Sequence, residues 1–293
     1  MTHLSAFRSE SCKARYLAKY DEVLKTWPVP YRERDVSTRF GTTHLIESGA
    51  EDLPPLLLFH GASTTAVLWQ PLIAQLSRHY RCFAIDTIFD PNKSELAAPL
   101  SGNDDVVAWM KDILAALGIQ KTRVAGLSFG GWLASLLVLH CPEQVSHAVW
   151  MAPGGTIGAL SMGFWLRLLP AALLRSSVQM RKSLRSMTAR KESLNHPTMD
   201  LIALGPELTL LRRPCLVFPN VFTEDELRRC RIPITVLLGD QEVIYRKGPV
   251  AVSDRAKKLI PDVRVHILKN TGHMMTLDAP DEVVAYMLSG LSR

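Results

Sequence analysis

Cysteines are few in this 293-residue sequence, and their spacing argues against two kinds of site. The five cysteines form an odd set without a CxxC pair. Neither a thiolate metal cluster nor a framework of disulfides is therefore predicted. Cys82 and Cys141 lie in apolar segments, where a free cysteine is usually a small buried hydrophobic residue. We expect no metal ion and a reducing compartment.

Long uninterrupted apolar runs are also missing. The N-terminal residues MTHLSAFRSESCKARY lack the apolar centre of a secretory signal. The longest apolar stretch, Met162 to Leu174, is broken by Arg167 and Pro170. A stretch of this length is too short to span a bilayer. The sequence therefore predicts no stable membrane insertion and a cytoplasmic location.

Positive charge is in excess, but it is not organised like a nucleic-acid site. The formal net charge is +6, from 34 Lys and Arg against 28 Asp and Glu that are spread along the chain. The densest basic stretch, Arg175 to Lys191, contains no aromatic residue on which a base could stack. We expect a solvated basic surface and no nucleic-acid partner.

Buried-strand patterns alternate with helical patterns from Leu56 onward. LLLFH, CFAID and RVAGLS are apolar runs without alternation, which is typical of strands covered on both faces. Helical spacing follows each of them, for example from Asp105 to Leu117. This order predicts an α/β fold with a mostly parallel, doubly wound sheet. Before it come a helix from about Glu10 to Thr26 and a hairpin of two short strands, Val36 to Phe40 and Thr42 to Ile46, around Gly41.

A long helical segment interrupts the alternation. About 80 residues separate the strand His147 to Met151 from the next strand, which begins at Ile234. Helical spacing near Phe164 to Leu174 and Leu201 to Leu211 indicates an inserted helical cap. The predicted organisation is an N-terminal helical extension (1–30), an α/β core (31–154 and 231–293) and a cap insertion (155–230).

The segment Gly126-Leu127-Ser128-Phe129-Gly130 matches the G-x-S-x-G nucleophile elbow. It lies between a predicted strand and a predicted helix, as the motif requires. Glycines two residues before and after the serine allow the strand and the helix to approach closely in a sharp turn. Ser128 is therefore the candidate nucleophile. A serine that merely caps a helix would predict neither an acid nor a histidine downstream.

Both an acid and a histidine follow in the chain. Asn270-Thr271-Gly272-His273 comes directly after the last predicted strand, so His273 is the candidate base. The turn after ITVLLG holds two candidate acids, Asp240 and Glu242. The acid has to accept a hydrogen bond from the second ring nitrogen of the histidine, which either residue can do. The residues alone leave the two alternatives open.

From Pro55 onward the chain resembles the α/β-hydrolase superfamily. The resemblance is carried by His60-Gly61-Ala62-Ser63 after a strand, by the elbow at Ser128, and by Gly272-His273 near the end. It implies that the triad acid stands three positions after the glycine ending its strand, which favours Glu242 over Asp240. It also implies an oxyanion hole formed by the backbone N–H groups of Ala62 and Phe129. His60, by contrast, is expected to brace its loop.

The predicted reaction is two-step acyl transfer through an acyl-enzyme, with no metal or organic cofactor. We expect a small or medium-sized carboxylic ester as the substrate, and the oligomeric state is left undefined. Four alternatives stay open: a hydrolase of C–C bonds in diketone-like substrates, a non-hydrolytic enzyme such as a lyase, a lipase-like variant whose apolar cap touches lipid, and a non-catalytic, receptor-like binding protein. A haloalkane dehalogenase is disfavoured because Ser128 stands where that chemistry needs a carboxylate.

Overall fold

A single nine-stranded sheet forms the centre of the computed structural model, which describes residues 4–210 and 217–292. The strands are β1 (Tyr31–Thr38), β2 (Gly41–Ser48), β3 (Pro55–Phe59), β4 (Arg81–Ile85), β5 (Glu95–Leu96), β6 (Thr122–Leu127), β7 (Val145–Met151), β8 (Ile234–Gly239) and β9 (Val263–Leu268). Their order across the sheet is β1-β2-β4-β3-β6-β7-β8-β9, and β5 pairs with β2.

Most of the sheet is parallel, as predicted. The pairs from β4 through β3, β6, β7 and β8 to β9 are all parallel, so these strands end at one edge. The β1–β2 hairpin is antiparallel and joins the sheet through β4. The central strands β3, β6 and β8 are almost completely buried because helices cover both faces.

Helices fill the crossovers and both ends of the chain. The helices are α1 (Glu10–Leu24), α2 (Gln70–Leu76), α3 (Asn103–Ala116), α4 (Phe129–His140), α5 (Met162–Leu174), α6 (Ser177–Arg185), α7 (Pro197–Leu208), α8 (Glu224–Arg229), α9 (Gly248–Leu259), α10 (Met275–Asp278) and α11 (Pro280–Leu291). Helix α1 begins where Ser9 accepts a hydrogen bond from Cys12 N. Its buried face, with Tyr16, Tyr20 and Val23, packs it onto the rest of the chain.

Helices α5 to α8 lie between β7 and β8, in residues 155–230, which we call the cap segment. Helix α5 is capped by Ser161, and of its residues only Ala171 is buried. The predicted helix Leu201 to Leu211 corresponds to α7, which starts earlier, at Pro197. Leu211 and Cys215 fall outside the described residues. Helix α6 was not predicted, because its sequence SVQMRKSLR is polar.

The elements that carry the candidate site are rigidly packed. The fully buried large side chains include Trp109 of α3, Trp132 of α4 and Trp150 of β7. The described cysteines, Cys12, Cys82, Cys141 and Cys230, are free thiols. Within residues 4–210 and 217–292, no helix is long and apolar enough to cross a membrane.

Candidate active site

Three loops meet at the carboxyl edge of the parallel sheet. Ser128 follows β6, Glu242 follows β8 and His273 follows β9. Because these strands are parallel and lie within four positions of each other in the sheet, their carboxyl ends place the three residues on the same edge.

Ser128 occupies a strained turn between β6 and α4. Its φ of 56° and ψ of −114° are values that residues with side chains rarely adopt. A Cβ on Gly126 would lie 2.0 Å from the carbonyl oxygen of Gly130, and one on Gly130 would lie 2.1 Å from that of Phe59. Only glycine permits these approaches, which explains the motif in physical terms. The half-buried Ser128 is thereby held at the tip of the turn.

Glu242 and His273 form a buried hydrogen-bonded pair. The His273 Nδ1 atom lies 2.9 Å from Oε2 of Glu242. The other carboxylate oxygen, Oε1, accepts the backbone N–H groups of Val243 at 2.8 Å and Ile244 at 3.1 Å. Because an ionised carboxylate can only accept, Nδ1 carries the proton and Nε2 is left as a proton acceptor.

Asp240 is placed differently from Glu242. Its Oδ1 atom accepts the backbone N–H of Thr271 at 3.2 Å, and so links the turn after β8 to the turn after β9. Its own N–H donates to the Leu268 carbonyl at 2.9 Å. Of the two acids in this turn, the structure brings Glu242 rather than Asp240 against His273.

The two predicted oxyanion amides belong to segments that lie next to Ser128. Phe129 begins α4 directly after Ser128, and Ala62 is exposed on the loop after β3. A Cβ on Gly61 would be 3.6 Å from the Ser128 Cβ, so this loop passes close to the serine. Neither N–H donates a hydrogen bond to any residue in the described ranges. Both N–H groups are therefore left without a partner among the described residues, as the predicted oxyanion hole requires.

His60 braces the loop, as expected. Its Nε2 accepts the N–H of Thr87 at 3.0 Å, and its Nδ1 lies 2.8 Å from the Gly61 carbonyl. Since Nε2 accepts, Nδ1 carries the proton and donates a hydrogen bond to the carbonyl oxygen of Gly61. Both ring nitrogens are thus engaged, and His60 joins its own loop to the loop after β4.

The Ser128 hydroxyl and the His273 ring are not hydrogen-bonded to one another in the described structure. Hydrogen bonds used in catalysis are often long in the resting enzyme and tighten when a substrate binds. The transfer of a proton between these two residues therefore remains a prediction.

Two buried carboxylates near the site were missed from the sequence. Asp90 accepts the backbone N–H of Ser63 at 2.8 Å, next to Ala62. Asp278 accepts the N–H of Gly272 at 2.8 Å, next to His273. Hydrogen bonds to backbone N–H groups need no particular residue type in the partner, so neither aspartate belongs to a recognisable motif. In the described part of the chain, no cluster of three His, Cys, Asp or Glu side chains could hold a metal ion.

Comparison with known proteins gives a consistent result. The model of the alpha/beta hydrolase family matches residues 56–286. An uncharacterized carboxylesterase, nap, of Bacillus subtilis is 35% identical over 92% of this chain and 89% of its own length. Carboxylesterase YbfK of the same species is 33% identical over 94% of this chain and 93% of its own length.

Solved structures agree with these relatives. The naproxen esterase of Bacillus subtilis superposes with a TM-score of 0.90 at 35% identity, covering 96% of this chain and 99% of its own. Carboxylesterase CesB from Bacillus subtilis has a TM-score of 0.89 at 32% identity, over 96% of this chain and 98% of its own.

Proposed function

The chain belongs to the alpha/beta hydrolase family, and we propose that it hydrolyses small or medium-sized carboxylic esters through Ser128, Glu242 and His273. The observation that carries these roles is the buried 2.9 Å contact between His273 Nδ1 and Glu242 Oε2, on the sheet edge where Ser128 stands. This contact fixes the tautomer that a general base needs. The similar carboxylesterases support the ester as the bond that is cleaved.

The proposed reaction gives each of these residues one role. His273 Nε2 takes the proton of the Ser128 hydroxyl while Ser128 Oγ attacks the ester carbonyl carbon. Glu242 stabilises the imidazolium that forms. The amides of Ala62 and Phe129 hold the oxyanion, and each such donor typically contributes about 3 kcal/mol to transition-state stabilisation. His273 returns the proton to the departing alcohol, and water repeats the sequence on the acyl-enzyme.

The proposed nucleophile has a direct test. A fluorophosphonate probe should label the protein once, on Ser128, and Ser128→Ala should abolish both the labelling and ester turnover. Ser135→Ala is a matched control, because Ser135 lies on α4 but is buried and hydrogen-bonded to Trp132 and Thr156. Labelling on a different serine, or full turnover by Ser128→Ala, would refute the assignment.

The substrate class can be tested with a panel of esters. A panel of p-nitrophenyl esters of increasing acyl length, run beside a vinylogous diketone, separates ester hydrolysis from C–C hydrolysis.

Cellular location and domain division belong to the same proposal. We propose a cytoplasmic enzyme whose core, residues 31–154 and 231–293, carries the triad. The cap segment is proposed to limit which esters reach Ser128, since the Phe164 ring of α5 lies 6.3 Å from the His273 ring.

A further inference from the structure

The loop after β4, residues 87–92, touches both halves of the proposed oxyanion hole. We propose that Asp90, on this loop, is a positioning residue that holds the Ala62 amide in its catalytic orientation. This inference rests on the proposed function, because it concerns the rate of the same ester hydrolysis. Asp90 itself does not touch the reacting atoms.

Asp90 accepts a hydrogen bond from the residue next to Ala62, whose amide it is proposed to position. Asp90 Oδ1 accepts the N–H of Ser63 at 2.8 Å, and Ser63 directly follows Ala62. Ser63 has a φ of 61°, in the left-handed region that side chains disfavour. A peptide held in a disfavoured conformation needs a fixed partner. Asp90 is 4% exposed, so its carboxylate is held within the fold and supplies that partner.

The neighbouring residue makes the second contact. The Phe89 ring lies 5.5 Å from the Phe129 ring, in an edge-to-face arrangement. Phe129 supplies the other proposed oxyanion amide. Two consecutive residues of one loop therefore contact the two segments that carry the donors, and the loop fixes their relative position.

The loop is rigid enough for this task. Thr87 Oγ1 donates to Asp90 Oδ2 at 3.1 Å, and Asp90 N–H donates to the Thr87 carbonyl at 3.2 Å. Asn92 Nδ2 donates to the same carbonyl at 2.8 Å. Thr87 N–H donates to His60 Nε2, which ties the loop to the segment after β3. Movement of Ala62 thus requires several buried hydrogen bonds to break together.

Loss of the Asp90 carboxylate should weaken stabilisation of the transition state more than it weakens substrate binding. A displacement of about 1 Å in a catalytic group can cost about a hundredfold in rate. We expect Asp90→Ala to lower kcat about 10- to 100-fold with KM changed less than about threefold. The inhibition constant of a trifluoromethyl ketone, whose adduct with Ser128 carries an oxyanion, should rise by the same factor as kcat/KM falls.

A conservative variant and a matched control separate positioning from stability. Asp90→Asn keeps an oxygen that can accept the Ser63 N–H, so its kcat should stay within about threefold of the wild type. Glu47→Ala removes another buried carboxylate, which lies on β2 and binds Arg34 and Arg81. It should lower Tm and leave kcat and the inhibition constant unchanged.

Three outcomes decide the matter. If Ser128→Ala keeps its turnover, the proposed function itself fails. If Ser128→Ala is inactive but Asp90→Ala has wild-type kcat and inhibition constant, only the positioning role of Asp90 is overturned. If Asp90→Ala does not fold, Thr87→Val, which removes the hydroxyl donor to Asp90, carries the test. An inhibition constant equal to that of the wild type in Thr87→Val would then overturn the proposal.

Discussion

At the scale of single residues, the strain at Ser128 is balanced by its backbone hydrogen bonds. A backbone conformation of this kind costs about 1–3 kcal/mol. Ser128 N–H donates to the Met151 carbonyl at 2.8 Å, and the Ser128 carbonyl accepts from Gly154 at 2.8 Å and Trp132 at 3.1 Å. Next to the elbow, the Tyr245 hydroxyl donates to the Pro153 carbonyl at 2.9 Å. Burial, followed by the charge of Glu242, raises the pKa of Tyr245 and keeps this donor protonated.

The two acids after β8 should respond very differently to amide substitution. Glu242→Gln keeps an oxygen for the N–H groups of Val243 and Ile244 only by turning its NH₂ group toward the Nδ1–H of His273. The ring would then adopt the wrong tautomer, and we expect kcat to fall about a thousandfold or more. Asp240→Asn keeps an acceptor for Thr271 N–H and should retain kcat within about threefold. Steady-state kinetics would contradict this assignment if both variants showed the same mild loss.

Motifs in the sequence predicted those residues whose chemistry requires a fixed residue type. Ser128 and His273 stand in recognisable turns, and Glu242 could be preferred over Asp240 only through the resemblance to a family. Asp90 and Asp278 act on backbone N–H groups, which every residue except proline offers. Their partners become visible only when the chain is folded.

At the scale of elements, Asp278 joins the cap segment to the loop of His273. Its Oδ2 atom accepts the N–H of Ala189 at 2.9 Å and that of Gly272 at 2.8 Å. Its Oδ1 atom accepts the Ser193 hydroxyl at 2.6 Å. The His273 N–H donates to the Met187 carbonyl at 2.8 Å. His273 and the stretch after α6 are therefore held by one network.

Removal of this carboxylate should loosen both elements at once. Asp278→Ala leaves buried donors without partners, each costing about 1–3 kcal/mol, so Tm and kcat should both fall. Limited proteolysis should become faster within residues 187–193. Asp112→Ala is a suitable control, since Asp112 of α3 binds the side chain and N–H of Arg39 in the turn between β1 and β2. Equal proteolysis rates in the two variants would contradict a specific link through Asp278.

The ends of elements departed from prediction for identifiable reasons. The hairpin extends over Tyr31–Thr38 and Gly41–Ser48, because backbone pairing continues through the polar, exposed start of β1. Helix α6 forms in a basic stretch whose composition indicated only a solvated surface. Ser176 caps it by accepting the N–H of Gln179, and packing of Met180 and Leu184 buries its inner face. The N-terminal capping by Ser176 and the tertiary packing of Met180 and Leu184 outweighed the weak helical pattern in the sequence.

At the scale of the whole molecule, the predicted α/β fold and the ester-hydrolase class are confirmed by the family match and by the related carboxylesterases. The alternation of buried strands and helices was sufficient for the architecture, because parallel strands covered on both faces leave a distinct hydrophobic pattern. The attachment of the N-terminal elements was not predictable in the same way. It depends on a charged cluster, centred on the buried His44 and Asp86, whose members are distant in sequence.

His44 is the centre of this cluster. Its Nδ1 lies 2.9 Å from Asp86 Oδ2, and its Nε2 lies 3.0 Å from Glu33 Oε2. Lys93 contacts Glu33 as well as Asp21 of α1, so the cluster connects α1, the hairpin and the loop after β4. Burial disfavours the charged imidazole, but the hydrogen bond and the charge of Asp86 outweigh it and raise the pKa of His44. Burial likewise opposes ionisation of Asp86, whereas the hydrogen bond and charge of His44 lower its pKa.

The stability that this cluster contributes should therefore depend on pH with a definite sign. A raised histidine pKa stabilises the fold below the ordinary value of 6.5 and loses this effect as pH rises through the folded pKa. A lowered aspartate pKa stabilises above the ordinary value of 3.8. We expect His44→Asn to cost about 3 kcal/mol of unfolding free energy near pH 6, and distinctly less at pH 9. Urea unfolding at both pH values measures this difference.

A control variant is Glu47→Gln, which removes a carboxylate paired with arginines. Its cost in unfolding free energy should be the same at pH 6 and pH 9, because both of its partners stay charged throughout that range. A penalty for His44→Asn that does not change with pH would show that its ring carries no charge in the fold.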